Sequence, residues 1–316
     1  MSEERIAMRA LIVDRSVPGG LRVGEVSAPV PAPNQALVRV TATSLNYGEV
    51  KHGIETAMEG TVLGWDAAGV VVQAAADGSG PAVGTPVVTL DESGGWAEVR
   101  AVRTDWIGVA PERAEPGAIS TIPVAAGTAL RALHRIGPIL GRRILVTGAT
   151  GGVGRYAVQL ARLGGAQVIA STGDPAKHGK ALRALGAHEV VTGPAQAGGG
   201  LDGVLDMVGG PQLVEAFDQL GEGGTLVAVG HSTGDGESFP FGALFSGPGR
   251  DDRSIVTFML LFCDGLDRDL AWLAQQVADG VLSPEITWRG NWNDVPEAVS
   301  ALMERRLHGK AVLDLA

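Results

Sequence analysis

Over about the first hundred residues, short apolar or alternating runs are separated by clusters of glycine and proline, a pattern typical of strands joined by tight turns. The strands predicted from these runs are Met8–Asp14, Ala36–Thr43, Gly69–Gln73, Pro86–Leu90 and Trp96–Val99. We therefore expect this part of the chain to form a compact antiparallel barrel or sandwich.

The pattern changes near Ile122, after which apolar strands alternate with helices. Such alternation predicts βαβ units and a doubly wound parallel sheet of about six strands. The tail from Ile286 is β-like again and is expected to return to the first domain. The predicted helices are Thr128–Ile136, Val153–Leu163, Pro175–Leu185, Pro211–Leu220, Asp267–Asp279 and Val295–Arg306. The predicted strands are Arg143–Thr147, Gln167–Ser171, Glu189–Thr192, Gly203–Met207, Thr225–Gly230, Ser254–Leu260 and Ala311–Leu315.

Composition and charge describe an ordinary packed protein and remove several classes of partner. The 316 residues are 45% apolar and 19% charged, with a net charge of −10. The basic residues are dispersed, so no nucleic-acid partner is expected. The charged amino terminus lacks the apolar segment of a signal peptide, and the longest uncharged stretch, Pro116–Leu130, is broken by proline and glycine. We expect a cytoplasmic protein with no membrane association.

The chain is poor in the side chains that bind zinc. Cys263 is the only cysteine, so neither an intrachain disulfide nor a zinc lobe held by four cysteines can form. The six histidines are scattered along the chain, and no two of them have the spacing of a ligand pair on a helix. No metal is predicted.

A glycine-rich loop follows the apolar strand at residues 144–146 and opens the next helix. This order matches the dinucleotide-binding fingerprint, with alanine at the first glycine position. Glycine at Gly151 permits close approach of a pyrophosphate, and Gly154 permits tight packing of helix on strand, while the helix N-terminus offers free N–H groups. The alternative is a tight turn in a sheet that binds no nucleotide. The loop residues predicted to bind the cofactor are Ala149, Thr150, Gly151, Gly152, Val153 and Gly154.

The end of the following strand bears on the choice of cofactor. A site that prefers NADH has an acid there for the ribose hydroxyl. This strand instead ends in Ser171 and Thr172, and Lys177 follows on the next helix. Small hydroxyls and a cation suit a 2′-phosphate, so NADPH is favoured, although Asp174 is a contrary sign. Alternatively, Ser171 and Thr172 only terminate a strand and Lys177 is a solvated surface residue.

Two later strand ends are also candidates for the cofactor site. Ligands of doubly wound sheets bind at the carboxyl ends of strands, so Val208 with Gly209 and Val229 with Gly230 are expected to flank the nicotinamide. They are otherwise ordinary turn residues. The long segment 232–252 contains Phe241, which we interpret as part of a substrate wall or lid. A packed loop or a dimer contact explains this segment equally well.

Several motifs, in order along the whole chain, resemble one family, the zinc-independent quinone oxidoreductases of the medium-chain dehydrogenase/reductase superfamily. The resemblance implies a Rossmann dinucleotide-binding domain over residues 123–281, inserted in a GroES-like catalytic domain formed by residues 1–122 and 282–316. It also implies a homodimer that pairs through the edge strand Ser254–Leu260. The motifs are Leu45-Asn46-Tyr47, Gly64-Trp65-Asp66-Ala67-Ala68-Gly69, Ala126-Gly127-Thr128-Ala129, Val146 to Gly154, Asp206-Met207-Val208-Gly209-Gly210 and Gly309-Lys310-Ala311-Val312-Leu313.

The differences from the zinc enzymes of the superfamily concern the metal site. Those enzymes carry a metal-binding cysteine where this chain has Asn46 and a metal-binding histidine where it has Trp65. Gly48 stands at the position of their proton-relay hydroxyl. The resemblance therefore implies chemistry without zinc, with Trp65 lining the substrate pocket, Asp66 as a structural carboxylate and Thr128 beside the nicotinamide.

Hydride transfer to an enone or quinone places negative charge on the carbonyl oxygen, which needs hydrogen-bond donors and a proton. The catalytic candidates are Asn46, whose amide can bond the nicotinamide ribose or the substrate, Tyr47, whose phenol can donate to the oxyanion, and Lys51. Tyr47 is alternatively a pocket aromatic and Lys51 an exposed cation. The leading hypothesis is NADPH-dependent reduction of an activated double bond in a small hydrophobic acceptor. The alternatives are a metal-free carbonyl reductase or alcohol dehydrogenase, and a nucleotide-binding relative without catalysis.

Overall fold

A computed structural model describes residues 7–315, and the chain divides into two compact units. Of the described residues, 7–127 and 261–315 belong to the first unit, and residues 128–260 form the second. No helix in the described range is long and apolar enough to cross a membrane.

The strands are β1 Ala7–Val13, β2 Leu21–Ser27, β3 Gln35–Leu45, β4 Asp66–Gln73, β5 Pro86–Leu90, β6 Val99–Arg103, β7 Ile107–Val109, β8 Arg143–Val146, β9 Gln167–Ser171, β10 Glu189–Val191, β11 Leu201–Asp206, β12 Leu220–Ala228, β13 Ser254–Thr257, β14 Ile286–Asn291 and β15 Lys310–Asp314. The helices are α1 Ile54–Thr56, α2 Pro116–Ser120, α3 Gly127–Ile136, α4 Gly152–Leu163, α5 Pro175–Ala184, α6 Gly210–Asp218, α7 Asp267–Ala278 and α8 Val295–Met303.

The first unit is the β-rich, GroES-like part of the chain. Its main sheet has the order β14-β15-β3-β4-β5-β7, with β6 also paired to β3, and β1 and β2 form a separate antiparallel pair. The tail closes this sheet, because β15 runs antiparallel to β3 with Ala311 opposite Leu45. Trp96 and Trp292 are almost fully buried in its core. The predicted return of the tail to the first domain is confirmed.

The second unit is a doubly wound sheet of six parallel strands in the order β10-β9-β8-β11-β12-β13. Its central strand β8 is fully buried at Ile144, Leu145 and Val146, as expected for a strand covered on both faces. The predicted Rossmann architecture is confirmed. The carboxyl ends of β8, β9, β11 and β12 lie on one edge of this sheet, which is where such folds bind nucleotides.

The division between the units differs from the predicted boundaries at 122/123 and 281/282. Helix α7 belongs to the first unit, because it packs on β7 so closely that a Cβ on Gly108 would lie 2.5 Å from Leu270 Cβ. The segment 123–127 also stays in the first unit, where the Val124 N–H donates to Asp66 Oδ1 at 2.8 Å. Helical periodicity shows that α7 needs an apolar partner, but it does not show which sheet supplies it.

Some strands also differ from their predicted positions. Strand β2 was not predicted, because Gly24 interrupts its short apolar pattern. The strand expected at Trp96–Val99 begins only at Val99; Trp96 is instead a fully buried residue in the preceding turn. The edge strand β13 ends at Thr257, three residues before the predicted Leu260.

Candidate functional site

In the second unit, the glycine loop joins β8 to α4 and is held by backbone hydrogen bonds. Gly148 has a φ of +56°, which favours glycine. The Gly151 N–H donates to Gly148 O at 3.0 Å, and the Ala149 N–H donates to Ser171 O at 3.1 Å. Gly151 is the N-cap of α4, and within residues 7–315 no side chain caps that end. The first N–H groups of α4 are thus left for a ligand.

Gly151 and Gly154 have different roles in the loop. A Cβ on Gly151 would have only Gly148 O within 4 Å, at 3.4 Å, so this side of the loop is open. A Cβ on Gly154 would lie 2.4 Å from Gly148 O and 2.7 Å from Ala149 Cα. Gly154 therefore lets the helix pack on the loop, and Gly151 leaves room for an anion at the helix N-terminus. The loop fits the pyrophosphate of a dinucleotide.

The end of β9 brings small polar side chains together with an exposed lysine. Ser171 and Thr172 are buried, whereas Lys177 is exposed on the first turn of α5. Asp174, the contrary sign in the sequence, is the N-cap of α5: its Oδ1 accepts from the Lys177 N–H at 2.9 Å. This carboxylate is thus engaged by its own helix. A Cβ on Gly173 would meet nothing within 4 Å.

Asp206, at the end of β11, holds the predicted Val208–Gly209 turn and was not singled out from the sequence. Its side chain accepts from the Thr147 hydroxyl at 2.6 Å and from the Gly209 N–H at 2.8 Å. Its backbone oxygen accepts from the Val229 N–H at 2.8 Å. Burial raises the pKa of Asp206, and these donors oppose that effect. Asp206 therefore ties the ends of three neighbouring strands: its carboxylate joins β8 to the turn after β11, and its backbone oxygen joins β11 to the end of β12.

The remaining candidates of the second unit are Thr128, Gly230 and Phe241. Thr128 is buried on the first turn of α3. Gly230 donates its N–H to Asp206 O at 3.1 Å, and so it joins the same strand-end arrangement. Phe241 is 97% exposed, and its ring meets the Phe245 ring edge-on with centroids 5.7 Å apart. This exposure does not agree with the predicted place of Phe241 in a pocket wall. The ring packs only edge-on against Phe245 in the same loop, and the rest of it faces solvent.

In the first unit, the Asn46 side chain lies among three buried ionisable side chains, Glu49, Asp66 and Lys310. We call these four residues the buried polar cluster. Asn46 Nδ2 donates to Glu49 Oε2 and to Asp66 Oδ2, both at 2.8 Å. Lys310 Nζ donates to Asn46 Oδ1 at 2.6 Å. Both amide hydrogens of Asn46 are therefore used within the protein. The predicted hydrogen bond between the Asn46 amide and the nicotinamide ribose or the substrate stays a prediction, in which the oxygen Oδ1 is the group left to take part, because the two N–H groups donate to Glu49 and Asp66.

Asp66 is the fully buried carboxylate of this cluster. Besides Asn46 and Lys310, it accepts from the Ser44 hydroxyl at 2.7 Å and from the Val124 N–H at 2.8 Å. Ionised carboxylates without exposure need such donors. The expectation of a structural carboxylate at Asp66 is confirmed.

Glu49 and Lys310 were not recognised as site residues from the sequence. Glu49 lies on a π-helical turn, Glu49–Gly53, and accepts from the Asn46 N–H at 3.1 Å and from the Trp65 N–H at 2.9 Å. Burial and the neighbouring Asp66 raise the pKa of Glu49 to about 8, while its N–H donors and Lys310 oppose the shift. The sequence signal for both residues is an ionisable side chain within an apolar segment. This signal points to the residues but does not show which side chains they contact.

Trp65 is held by a second buried charge. The Arg100 guanidinium donates to Trp65 O at 3.0 Å and to Ser93 O at 2.7 Å, and burial lowers the pKa of Arg100 to about 10. A Cβ on Gly48 would lie 3.3 Å from Trp65 Cη2, so the indole covers Gly48. The structure thus brings Trp65 beside the Asn46–Tyr47–Gly48 segment, as the sequence predicted.

Tyr47 and Lys51 are one helical turn apart and in contact. Lys51 Nζ lies 5.3 Å from the centroid of the Tyr47 ring, in the geometry of a cation–π pair. Both side chains are partly exposed. Of the three predicted catalytic residues, these two therefore retain groups that can reach a bound molecule as donors.

The residues at the superfamily's metal position do not fit zinc. Structural and catalytic zinc sites use cysteine, histidine and carboxylate ligands, whereas Asn46 and Trp65 occupy the two matching positions. The oxygen of Asn46 already accepts from an ammonium at 2.6 Å, and a second cation there would be repelled. Among residues 7–315, no three His, Cys, Asp or Glu side chains are grouped to hold a metal ion.

Comparison with known proteins agrees with this fold. The alcohol dehydrogenase GroES-like domain matches residues 32–113, and the zinc-binding dehydrogenase family matches residues 185–313. Over 309 residues the chain is 28% identical to YhfP of Bacillus subtilis, which its name assigns provisionally to the quinone oxidoreductases; the match covers 88% of this chain and 90% of YhfP. A thermostable alcohol dehydrogenase from Pyrobaculum aerophilum superposes with a TM-score of 0.83 at 26% identity, over 98% of this chain and 100% of that one.

The chain is also similar to part of a much larger protein. It is 34% identical over 236 residues to erythronolide synthase EryA2 of Saccharopolyspora erythraea, which is 68% of this chain and 6% of that synthase. The chain belongs to the medium-chain dehydrogenase/reductase superfamily, in its quinone oxidoreductase-like branch. Oxidoreductases of this superfamily use a nicotinamide cofactor, and the match to YhfP over most of both chains supports an oxidoreductase here.

Proposed function

We propose that this chain is an NADPH-dependent reductase that delivers hydride, without zinc, to an activated double bond in a small hydrophobic quinone, enone or enoyl acceptor. The observation that carries the proposal is the metal position itself: Asn46 accepts from the Lys310 ammonium there, and Trp65 replaces a histidine. Without a Lewis acid, a conjugated acceptor is the favoured substrate, because its developing charge is spread and can be met by hydrogen-bond donors.

The preference for NADPH is supported by the end of β9. Ser171 and Thr172 are small, Lys177 is an exposed cation on the first turn of α5, and the carboxylate of Asp174 is engaged as a helix cap. A 2′-phosphate is attracted by the lysine and by the amino end of α5. Asp174 is the acidic side chain at this strand end, and one of its oxygens is already used by the helix cap.

A bound nicotinamide would supply the hydride. The chain itself binds the pyrophosphate with the loop from Ala149 to Gly154, and it holds the strand-end turns at Gly209 and Val229 through Asp206. The Tyr47 phenol is the hydrogen-bond donor we assign to the developing oxyanion, with the Lys51 ammonium over its ring adding positive charge. Trp65 supplies the apolar wall.

The resemblance to YhfP, whose name assigns it to the quinone oxidoreductases, supports a reductase of quinones. Likeness to an alcohol dehydrogenase at 26% identity keeps metal-free carbonyl reduction as the second candidate. A dimer paired through the exposed edge strand β13 remains part of the proposal, since Ile255 on that strand is 39% exposed.

The test is oxidation of NADPH and of NADH with a panel of quinones, enones, enoyl thioesters and simple ketones. We expect turnover with conjugated acceptors and a lower KM for NADPH, unaffected by a strong zinc chelator. Turnover of ketones alone would support the carbonyl reductase instead. Tight NADPH binding without any turnover would indicate a relative that has lost catalysis.

A further inference from the structure

The hydrogen-bonding groups of the Asn46 side chain are almost fully used within the first unit. Its two N–H groups donate to Glu49 and Asp66, and its oxygen accepts from Lys310. A primary amide has two donor hydrogens and an oxygen with two lone pairs. One lone pair of Oδ1 is therefore the capacity that Asn46 retains for a ligand.

Charge fixes the amide in this orientation. Rotating it by half a turn would place Oδ1 against the Asp66 carboxylate and the NH₂ group against the Lys310 ammonium. Lys310 is 3% exposed and Asp66 is fully buried, so solvent screens these interactions weakly. Each neighbour in the buried polar cluster thus selects the same orientation.

Lys310 is the donor that Oδ1 depends on. It is the first residue of β15, and its ammonium also donates to Leu45 O at 3.1 Å and to Asp66 Oδ2 at 3.3 Å. Leu45 directly precedes Asn46, so one side chain holds both the backbone and the amide oxygen at this point. If either the Leu45 backbone oxygen or the Asn46 amide oxygen moved away, the buried Lys310 ammonium would lose a hydrogen-bond acceptor.

We propose that Lys310 is a positioning residue that acts through Asn46: it holds the amide so that a bound molecule meets a carbonyl oxygen. The ligand group recognised there is therefore a hydrogen-bond donor such as a hydroxyl, and not a carbonyl oxygen. This inference rests on the proposed function and on the predicted contact of the Asn46 amide with the nicotinamide ribose or the substrate. It assigns binding of the substrate oxyanion to another residue.

The first experiment reads the amide orientation without ligand or turnover. In the full chain labelled with ¹⁵N, the side-chain NH₂ signals of Asn46, assigned by their loss in Asn46→Ala, should exchange with water far more slowly than those of the exposed Asn293. In Lys310→Met the exchange should become faster. Fast exchange in the unmodified protein would overturn the proposal even if Lys310→Met fails to fold.

The second experiment is a double-mutant cycle read as NADPH affinity and as kcat and KM with a quinone. Lys310→Met and Asn46→Ala should each weaken binding or turnover by about three- to tenfold, the loss typical of one hydrogen bond between neutral groups. The double variant should be no worse than Asn46→Ala, because Lys310 acts through Asn46. Lys180→Met, an exposed lysine on α5, is the matched control and should change nothing.

The outcomes separate this inference from the proposed function. Losses that add in the double variant, or an Asn46→Ala variant with unchanged affinity and turnover, would overturn the positioning role. Absence of turnover with every acceptor contradicts the proposed function instead, while slow amide exchange and a non-additive loss of NADPH affinity would still support the role of Lys310.

Discussion

The two units prepare for ligands by opposite physical means. The glycine loop of the second unit offers backbone N–H groups and contains no ionised side chain between Gly148 and Gly154. The buried polar cluster of the first unit instead holds two carboxyl side chains and an ammonium away from solvent around one amide. The loop depends on space and backbone conformation, and the cluster depends on charge balance.

This difference predicts how each region fails. Added bulk is the damaging change in the loop, because its donors are main-chain atoms that no substitution removes. In the cluster the damaging change is loss of one charge, since the remaining partners cannot be solvated. Substitutions of the two kinds test the comparison directly, and we expect those in the cluster to cost more stability than those in the loop.

Asp66→Asn is expected to lower the free energy of unfolding by about 3–5 kcal/mol, because it leaves the buried Lys310 ammonium without its carboxylate and turns an NH₂ group toward other donors. Urea unfolding followed by fluorescence measures the loss. The control is Glu59→Gln, which breaks the exposed ion pair with Arg15 and should cost less than about 1 kcal/mol. Equal losses in the two variants would contradict a charge-dependent cluster.

Glu49 should make stability depend on pH. Its pKa in the folded state is raised from 4.5 to about 8, so between these values the folded protein holds a proton that the unfolded chain has released. Its stabilising contribution is complete below about pH 4.5 and is lost as pH rises through 8. From this residue alone, the free energy of unfolding should fall by about 1.4 kcal/mol per pH unit in that window.

The measurement is urea unfolding at several pH values between 5 and 8, in the unmodified chain and in Glu49→Gln. The variant is less stable overall, since its NH₂ group faces N–H donors, but its unfolding free energy should depend less steeply on pH. Parallel pH dependences would show that Glu49 ionises normally in the folded chain.

Gly151→Ala and Gly154→Ala should separate binding from folding in the loop. A Cβ at Gly154 would meet Gly148 O at 2.4 Å, so the variant should lose about 1–3 kcal/mol of stability together with NADPH affinity. A Cβ at Gly151 meets little protein, so that variant should keep its stability and lose affinity alone. Gly247→Ala, where a Cβ has nothing within 4 Å, is the control. Fluorescence titration with NADPH reads the affinities.

Lys177→Met should give the smallest effect, because Lys177 is exposed. We expect NADPH affinity to fall by about tenfold, the value of one charge-assisted contact with a phosphate, and NADH affinity to stay unchanged. Lys180→Met, on the same helix, should leave both unchanged. A Lys177→Met variant that loses NADPH and NADH equally would remove the assignment of the 2′-phosphate to this turn.

The same contrast explains what the sequence could predict. The loop is local, because a strand, a glycine pattern and a helix follow one another within a few residues. The residues that determine its position and conformation are therefore neighbours in the sequence. The six-stranded sheet is likewise predictable, because successive βαβ units are joined by the same right-handed crossover connection. Asn46 and Trp65 were found because they stand at positions that a known family fills with metal ligands.

The cluster's chemistry was not predictable in this way. Asn46 and Lys310 are separated by 264 positions, and no periodicity joins them. From the sequence alone, the amide of Asn46 is free to donate; only the carboxylates of Glu49 and Asp66 show that its hydrogens are used. Helix α7 was misassigned for a related reason, since its apolar face is encoded locally and its partner β7 is not.

The place of Lys310 in the chain has a consequence for synthesis. The ribosome produces the carboxylates of Glu49 and Asp66 early, then all of the second unit, and only afterwards the cation that balances them. During that interval the second unit can fold as a domain on its own, while the first has an open place in its sheet where β15 belongs. Arrival of β15 then completes the sheet and brings the ammonium to the Asp66 carboxylate in one event, so this cluster forms only after the second unit has been synthesised.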